Sequence, residues 1–351
     1  LKQLFAQEEI VYSRMAGVFG SALHAMGVTF AMIGSGTVMR ASGIITPVGQ
    51  REMAQLSVQL LLPAFNFSAL ISDVSWSKLA ENRAVALFAV VHVALGLVLG
   101  SLLCSVGRRS AFLRNNSRQV LVLCAFCNGT AMPLPLFRAL LGAPQLRKLG
   151  IEAEGALAIT IYGTVWRFLL WTVGIAILGG GASQGAEKSP SSGRLLRRAL
   201  LNTNTLASVA GLVIALSGAG DVLFGGPLAF LRDACANVAK ASHAMLLLTL
   251  GAALWPVPAI TDWWAIAGIC GVKLVAVPVF TMGLLSILSL RTVDGLILAI
   301  EGCVPSALQI SMMVQSTGQD SRYCTVICFW QHVVALFTMT TFLTLALLRV
   351  P

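Results

Sequence analysis

The sequence predicts an all-α polytopic membrane protein, with about ten transmembrane helices arranged as two inverted five-helix repeats. Three observations indicate this fold class. Of the 351 residues, 57% are hydrophobic and only 11% are charged, whereas soluble domains carry about 25% charged residues. The mean hydropathy is +0.83, and apolar stretches of about 20 residues recur along the chain. Two of these stretches, one in each half, are interrupted by proline.

A polar segment divides the apolar stretches into two groups of five. The expected spans are residues 15–39, 52–71, 84–104, 118–141 and 153–178, then 203–219, 227–254, 263–289, 294–316 and 324–348. Residues 179–202 are rich in Gly, Ser and charge, which predicts a flexible cytosolic linker between repeats 1–178 and 203–351. Because five is an odd number, the second group enters the membrane with the opposite orientation.

The net charge of +10 does not indicate a nucleic-acid partner, because the basic residues lie mostly in short loops between apolar segments. The partner expected from composition is the lipid bilayer. Most of the cysteines fall inside apolar runs, where cysteine acts as a small hydrophobe. Neither metal-ligand spacing, a phosphate loop nor a nucleophile–base arrangement is present. The sequence therefore predicts no enzyme, no catalytic residue, no metal and no cofactor.

The fourth span is interrupted by Asn128, Gly129 and Thr130, which are followed by Pro133 and Pro135. Proline removes a backbone donor and clashes with the preceding turn, while glycine relaxes the backbone. Unpaired backbone groups cannot face lipid, so such a break is tolerated only inside protein or beside a water-filled cavity. The fourth span is therefore predicted to be a broken helix with a binding gap at its centre.

The ninth span carries Pro305 in the corresponding place of the other half, with Gln309 four residues later. Paired interruptions of this kind indicate the binding site of a secondary transporter. Half-helices that end at a break direct amide groups and the positive end of the helix dipole into the gap, which suits a small organic anion. The predicted substrate-binding residues are Asn128, Gly129, Thr130, Pro133, Pro135, Pro305 and Gln309.

Ionisable residues inside the spans are the second group of candidates, because charges are costly at membrane depth. Glu301 predicts either a proton or cation relay or a buried carboxylate paired with Lys273 or Lys240, and both interpretations stay open. Lys240 and His243 are three residues apart and share a helix face that we expect to point into the bundle. For Lys240, a structural partner and a substrate role are equally supported. Arg167 in the fifth span adds positive potential.

Several motifs resemble the auxin efflux carrier superfamily, and most closely its PIN-like branch with short loops (the PILS type). In the fourth span, Asn128 is followed seven residues later by Pro135, as in that family. Residues 305–309 (PSALQ) are similar to the family's ninth-span segment, and residues 323–330 (YCTVICFW) are similar to the start of its tenth. Matches of this kind follow the family's order over nearly the whole chain.

The resemblance implies ten helices in which helices 4 and 9 cross at their breaks, and helices 1, 2, 6 and 7 form the scaffold and the side of a homodimer. It also implies transport of auxin-like indole carboxylates by alternating access. Bacterial relatives are similar to dicarboxylate carriers, and Ser306, Gln309 and Lys240 depart from the family pattern in ways that bear on indole-acetate specificity. The short linker favours the endoplasmic reticulum membrane, with the plasma membrane as the alternative.

Two other function classes compete with this interpretation. A cation/proton-coupled antiporter has a similar topology, but such exchangers usually need an aspartate at the crossing, and neither break contains one. A membrane receptor or lipid-modifying enzyme is the second rival, and two mid-membrane breaks in ten spans count against it.

Overall fold

The computed structural model describes residues 2–107, 110–129, 132–141, 150–179, 197, 200–226, 228–256, 262–317 and 319–348. Thr130 and most of the predicted linker 179–202 lie outside the described residues. Over the described ranges the chain is helical, and its extended backbone forms only an isolated antiparallel bridge between Cys127 and Ser306. The predicted all-α class is therefore confirmed for this part of the chain.

The first half contains ten helical segments in its described residues. They are α1 Lys2–Ala41, α2 Pro47–Leu56, α3 Leu62–Asp73, α4 Trp76–Glu81, α5 Arg83–Val106, α6 Ala111–Asn115, α7 Ser117–Ala125, α8 Pro133–Leu140, α9 Glu152–Leu169 and α10 Ile175–Gly179. π-Helical turns join α2 to α3 over Ser57–Leu61 and α9 to α10 over Leu170–Gly174. Each of these joined pairs forms one continuous rod.

The second half contains eight helical segments in its described residues. They are α11 Thr203–Ser217, α12 Ala219–Phe224, α13 Ala229–Ala253, α14 Trp263–Gly271, α15 Val277–Ile287, α16 Thr292–Cys303, α17 Gln309–Ser316 and α18 Arg322–Leu347. A π-helical turn over Val272–Ala276 joins α14 to α15 and contains Lys273. It lies just before Pro278, which removes an N–H donor from the next turn.

Within the described ranges, five continuous helices are long and apolar enough to cross a membrane. They are Pro47–Ser72, Arg83–Val106, Glu152–Gly179, Trp263–Ile287 and Arg322–Leu347. They correspond to predicted spans 2, 3, 5, 8 and 10. Predicted spans 4 and 9 are each divided at their breaks, into α7 with α8 and α16 with α17. The count of ten spans and the inverted repeat stay predictions.

Side-chain caps fix where several of these helices begin. Thr46 accepts a hydrogen bond from the Gly49 amide at the start of α2, where Pro47 occupies the first turn. Asn202 caps α11 through the Thr205 amide in the same way. Asp262 caps α14, and its second carboxylate oxygen accepts hydrogen bonds from Ser110 Oγ at 2.7 Å and from the Phe112 amide at 3.1 Å. Asp262 therefore ties α14 to the start of α6.

Close packing between α1 and α13 depends on glycine. A Cβ atom added at Gly36 would meet the backbone of Leu248, and one added at Gly251 would meet the backbone of Ile33. Small residues let membrane helices approach this closely. Across the same contact, Thr37 Oγ1 donates a hydrogen bond to the Gly251 carbonyl at 2.9 Å.

α3 packs on α11 through two asparagine side chains that are hydrogen-bonded to each other. Asn66 Nδ2 donates to Asn204 Oδ1 at 3.3 Å, and Asn204 Nδ2 donates to the Val58 carbonyl at 2.7 Å. α13 also packs against α3. Helices α1, α2, α3, α11 and α13 thus form one connected group, which we call the scaffold group.

Candidate functional site

The two helix breaks lie beside one another and are joined by backbone hydrogen bonds. The Asn128 amide donates to the Pro305 carbonyl at 2.8 Å, and the Ala307 amide donates to the Phe126 carbonyl at 3.0 Å. The Ser306 amide donates to Gln331 Oε1 on α18 at 3.1 Å. These backbone groups, which have no partner within a helix, are therefore satisfied within the protein, as the low dielectric of a membrane interior requires.

The sequence of the first break explains why α8 begins where it does. α8 restarts at Pro133 and contains Pro135, so the first turn of α8 lacks two of the amide donors that a helix start normally exposes. Gly129 lies against aromatic rings, because a Cβ atom there would stand 3.0 Å from Tyr162 Cε1 and 3.2 Å from Trp166 Cδ2. A side chain at Gly129 would therefore require these rings to move by a few tenths of an ångström.

A cavity of about 260 Å³ opens beside the paired breaks. Its wall is mainly apolar and carries a few polar groups, which is typical of small-molecule sites. The lining residues are Leu62, Phe65, Asn128, Leu134, Pro135, Trp166, Arg167, Ser242, His243, Leu246, Ala307, Leu308 and Gln309. They come from α3 and α13 of the scaffold group on one side, and from the breaks, α8, α9 and α17 on the other. The cavity thus lies at the boundary between two sets of helices.

Arg167 places a permanent positive charge in the cavity wall. The residue is only 5% exposed, and its guanidinium carbon lies 5.0 Å from the centre of the Phe65 ring, in cation–π geometry. The neighbouring Trp166 contributes a buried indole N–H that has no hydrogen-bond partner among the described residues. A carboxylate in this cavity could accept from the Arg167 guanidinium, because charge-assisted hydrogen bonds are the stronger ones in a desolvated site.

The structure brings three of the predicted binding residues to this cavity, namely Asn128, Pro135 and Gln309. Pro305 does not line the cavity, but its carbonyl accepts a hydrogen bond from the amide of the cavity residue Asn128. Pro133 is buried at the start of α8 and is not part of the cavity wall.

Three amide groups of the breaks are already occupied. Those of Asn128, Ser306 and Ala307 bond between the breaks or to Gln331. The expectation that amides of residues 129–132 point into the gap stays a prediction, and residues 130 and 131 lie outside the described ranges.

Behind the breaks, five buried polar side chains form a continuous chain. Lys273 Nζ lies 3.1 Å from His92 Nε2, and His92 Nδ1 lies 2.8 Å from the Tyr162 hydroxyl. That hydroxyl lies 3.1 Å from Cys127 Sγ, which is 4.0 Å from Glu301 Oε2. Glu301 and Lys273 thus belong to one chain of contacts with three side chains between them, and their pairing stays a prediction.

Lys240 does not join this chain, and the expectation that its helix face points into the bundle is wrong for it. Lys240 is exposed and donates a hydrogen bond to Asn237 Oδ1 at 2.9 Å, on the same helix. His243 is half-buried and lines the cavity. The three-residue spacing leaves an angular offset of roughly 60° between the two side chains, which is enough to separate an interior position from an exterior one.

Reasoning from the sequence named Arg167 only as a source of positive potential, and it did not select Trp166 or Phe65 as site residues. The signal for Arg167 was its place inside an apolar span, where an arginine usually faces a cavity or a partner. The aromatic residues carry no such signal, since most aromatic residues in these spans pack in the core.

The chain matches one family model. The model is described as membrane transport protein, and it covers residues 21–343. No curated protein matches the chain at a significant level.

Proposed function

Because the chain belongs to the membrane transport protein family, to which the auxin efflux carriers belong, we propose that it is a secondary carrier of small organic anions. The preferred substrate in this proposal is an auxin-like indole carboxylate, carried by alternating access through ten spans in two inverted repeats. We also propose the PIN-like branch, the endoplasmic reticulum membrane and a homodimer formed through the scaffold group. These last three rest on the sequence resemblance.

The observation that supports this substrate class is the composition of the cavity wall. One fully charged cation, Arg167, stands in a wall that is otherwise mainly apolar and aromatic, with Phe65 and Trp166 beside it. A ligand with one carboxylate and one flat aromatic body matches that distribution. The volume of about 260 Å³ suits a ligand smaller than a typical drug molecule.

The position of the cavity supports transport by movement of one helix set against the other. Its lining is shared between the scaffold group and the set that carries the breaks, so a shift between the sets would carry the ligand with one of them. The breaks are bonded to each other, which favours their moving as a unit.

A dicarboxylate carrier is the second candidate, and His243 is the residue that favours it. His243 lines the cavity together with Arg167 and could meet a second carboxylate when it is protonated. The cation/proton antiporter is supported less well, because residues 126–132 and 304–308 contain no carboxylate.

Thermal stabilisation of the purified protein tests the proposal. Indole-3-acetate, its neutral amide indole-3-acetamide, and malate would be titrated separately while the unfolding temperature is followed. A ligand at about 100 times its Kd stabilises the folded state by about 2.7 kcal/mol. We expect clear stabilisation by indole-3-acetate and little by the amide. Stronger stabilisation by malate would select the dicarboxylate carrier, and no response to any carboxylate would refute the anion carrier.

A variant pair then locates the site. Asn128→Ala should abolish uptake of labelled indole-3-acetate into vesicles without lowering expression, since Asn128 lies at the cavity wall and in the break. Asn237→Ala is the matched control, because Asn237 is exposed on α13 and outside the cavity. Unchanged uptake by Asn128→Ala would count against this cavity.

A further inference from the structure

A second cavity of about 850 Å³ lies at one end of the helices. It is lined where α1 and α13 end and where α2 and α18 begin, so it stands at the level where predicted spans 2 and 10 start. Its wall is mainly polar and contains three arginines, four glutamines and one aspartate. We call this cavity the vestibule, and we call the cavity that contains Arg167 the inner cavity.

The vestibule and the inner cavity are lined by the same helical elements. In the continuous rod of α2 and α3, Gln55 borders the vestibule and Leu62 borders the inner cavity. On α13, Ala253 borders the vestibule and Leu246 the inner cavity. Both pairs are separated by a length of about 10 Å along a helix. α17 borders the inner cavity with its first residue and the vestibule with its last turn. The two cavities therefore follow one another between the scaffold group and α17.

A contact between α17 and the scaffold group separates the two cavities. α17 packs against α2, against α13 and against the π-helical turn Ser57–Leu61. That turn comes directly after Gln55 and Leu56 and directly before Leu62, so it lies between the part of the rod that borders the vestibule and the part that borders the inner cavity. π-Helical turns are frequent at functional sites. A ligand that moves from the vestibule to the inner cavity has to cross this contact.

The vestibule wall carries an excess of positive charge. Arg322 pairs with Asp320 at 3.4 Å, and both side chains are mostly exposed. Among the described residues, no carboxylate lies at ion-pair distance from the other two arginines, Arg40 and Arg51. Arg40 Nη1 donates to the Ile45 carbonyl at 3.0 Å, which holds its side chain in place. Two positive charges in the wall thus have no counter-ion in the described part of the chain.

We propose that the vestibule is a second, weaker anion site, at which the organic anion binds before it enters the inner cavity. The identity of the anion rests on the proposed function, whereas the positive charge of the vestibule does not. A cleft lined by one sign of charge concentrates counter-ions and raises association rates by about 10- to 1,000-fold. The vestibule site is the weaker one because Arg40 and Arg51 are more exposed to solvent and salt than Arg167, which is only 5% exposed.

The two sites then act on different steps of binding. Charges at a rim mainly change the association rate and its salt dependence, whereas a buried charge that contacts the ligand mainly changes the dissociation rate. Arg40 and Arg51 should therefore determine how fast the anion arrives, and Arg167 should determine how long it stays bound.

The charge of the vestibule can be measured without any substrate, because Trp255 lies in its wall and is 45% exposed. The fluorescence of Trp255 is obtained as the difference between the unchanged protein and Trp255→Phe. Iodide and caesium would be added separately at low ionic strength, each calibrated on N-acetyltryptophanamide in solution. We expect iodide to quench Trp255 about tenfold more strongly than caesium on this scale, and the preference to disappear at high salt.

Arginine variants assign this preference to the vestibule. The preference should be lost in the double variant Arg40→Gln/Arg51→Gln and fall to about threefold in Arg51→Gln alone, which leaves the Arg40 bond to Ile45 intact. Arg114→Gln is the matched control, because Arg114 is exposed on α6 and lies outside both cavities. Equal quenching by the two ions in the unchanged protein would overturn the proposal. A preference that persists in the double variant, or is equally lost in Arg114→Gln, would overturn it as well.

Rapid-mixing kinetics test whether the organic anion passes through the vestibule. Association and dissociation rate constants for indole-3-acetate would be measured on the purified protein at low salt. We expect the association rate constant to fall about tenfold in the double variant and about threefold in Arg51→Gln, with the dissociation rate constant little changed. Arg114→Gln should bind like the unchanged protein. In the unchanged protein, the association rate constant should fall as salt is added.

The outcomes separate the entry role from the proposed function. Binding whose association rate constant is the same in the unchanged protein and in Arg51→Gln, or does not depend on salt, would overturn the vestibule as an entry site and leave the anion carrier intact. Absence of binding by any carboxylate would overturn the proposed function and the entry role together.

Discussion

Replacing Arg167 by glutamine is the most direct test of how this cavity recognises its ligand. Arg167 is nearly buried in the cavity wall, beside the Phe65 ring. Glutamine keeps hydrogen-bonding capacity at that position and removes the positive charge. The change therefore acts on the charge-assisted part of binding and leaves most of the apolar wall in place.

The expected loss follows from the burial of the guanidinium. A hydrogen bond to a charged group contributes about 1.5 to 3 kcal/mol, and each 1.4 kcal/mol or so changes a Kd about tenfold. The Kd for indole-3-acetate should thus rise roughly 10- to 150-fold. Loss of the cation–π contact with Phe65 lowers the free energy of unfolding by about 0.5 to 2 kcal/mol, which is a separate and measurable effect.

The assay compares a charged and a neutral ligand of nearly equal shape. Kd values for indole-3-acetate and indole-3-acetamide would be measured on the unchanged protein, on Arg167→Gln, and on Arg138→Gln as the control. Arg138 is exposed on α8 and lies outside the cavity. We expect only the acid to lose affinity, and only in Arg167→Gln. Equal losses for acid and amide would mean that Arg167 maintains the shape of the wall and does not bind the carboxylate.

Two further predictions concern the fold. Gly36→Ala should lower the free energy of unfolding by about 1 to 3 kcal/mol, because the new Cβ atom would meet the Leu248 backbone. Gly34→Ala, where the Cβ atom meets nothing within 4 Å, should not destabilise the protein, and equal losses in both would argue against this helix contact. Burial alone raises the pKa of Asp262, but hydrogen bonds from Ser110 Oγ and two backbone amides outweigh it and hold the pKa below its ordinary value. The resulting stabilisation is present above about pH 4 and is lost as the pH falls further, so the unfolding temperature of the unchanged protein should drop more steeply below about pH 4 than that of Asp262→Asn.

Local chemistry explains which parts of the fold could be predicted from the sequence. Pro133, Pro135 and Pro305 each remove a backbone donor wherever the chain places them, so the positions of the breaks follow directly from the sequence. The place of Asn128 and Gln309 beside the cavity could be predicted because both residues lie at breaks.

The direction in which each ionisable side chain points could not be predicted. In a membrane helix, apolar residues surround the whole circumference, so the polar and apolar faces that orient a soluble helix are weak. Lys240 and Arg167 both read as charges inside apolar spans, yet one is exposed and the other is nearly buried in the cavity wall. Only packing between helices decides that difference.

The pairing of the two breaks has a consequence for specificity that neither break reveals alone. The amides of Asn128 and Ala307 each donate a hydrogen bond to a carbonyl of the opposite break. These two backbone donors join the breaks and are therefore not available to a ligand. Much of the cavity wall then comes from side chains on other helices, such as Arg167 and His243. One crossing of this kind can therefore serve carriers with different substrates. For that reason the wall of the cavity, more than the motif at the breaks, should decide the substrate of the proposed carrier.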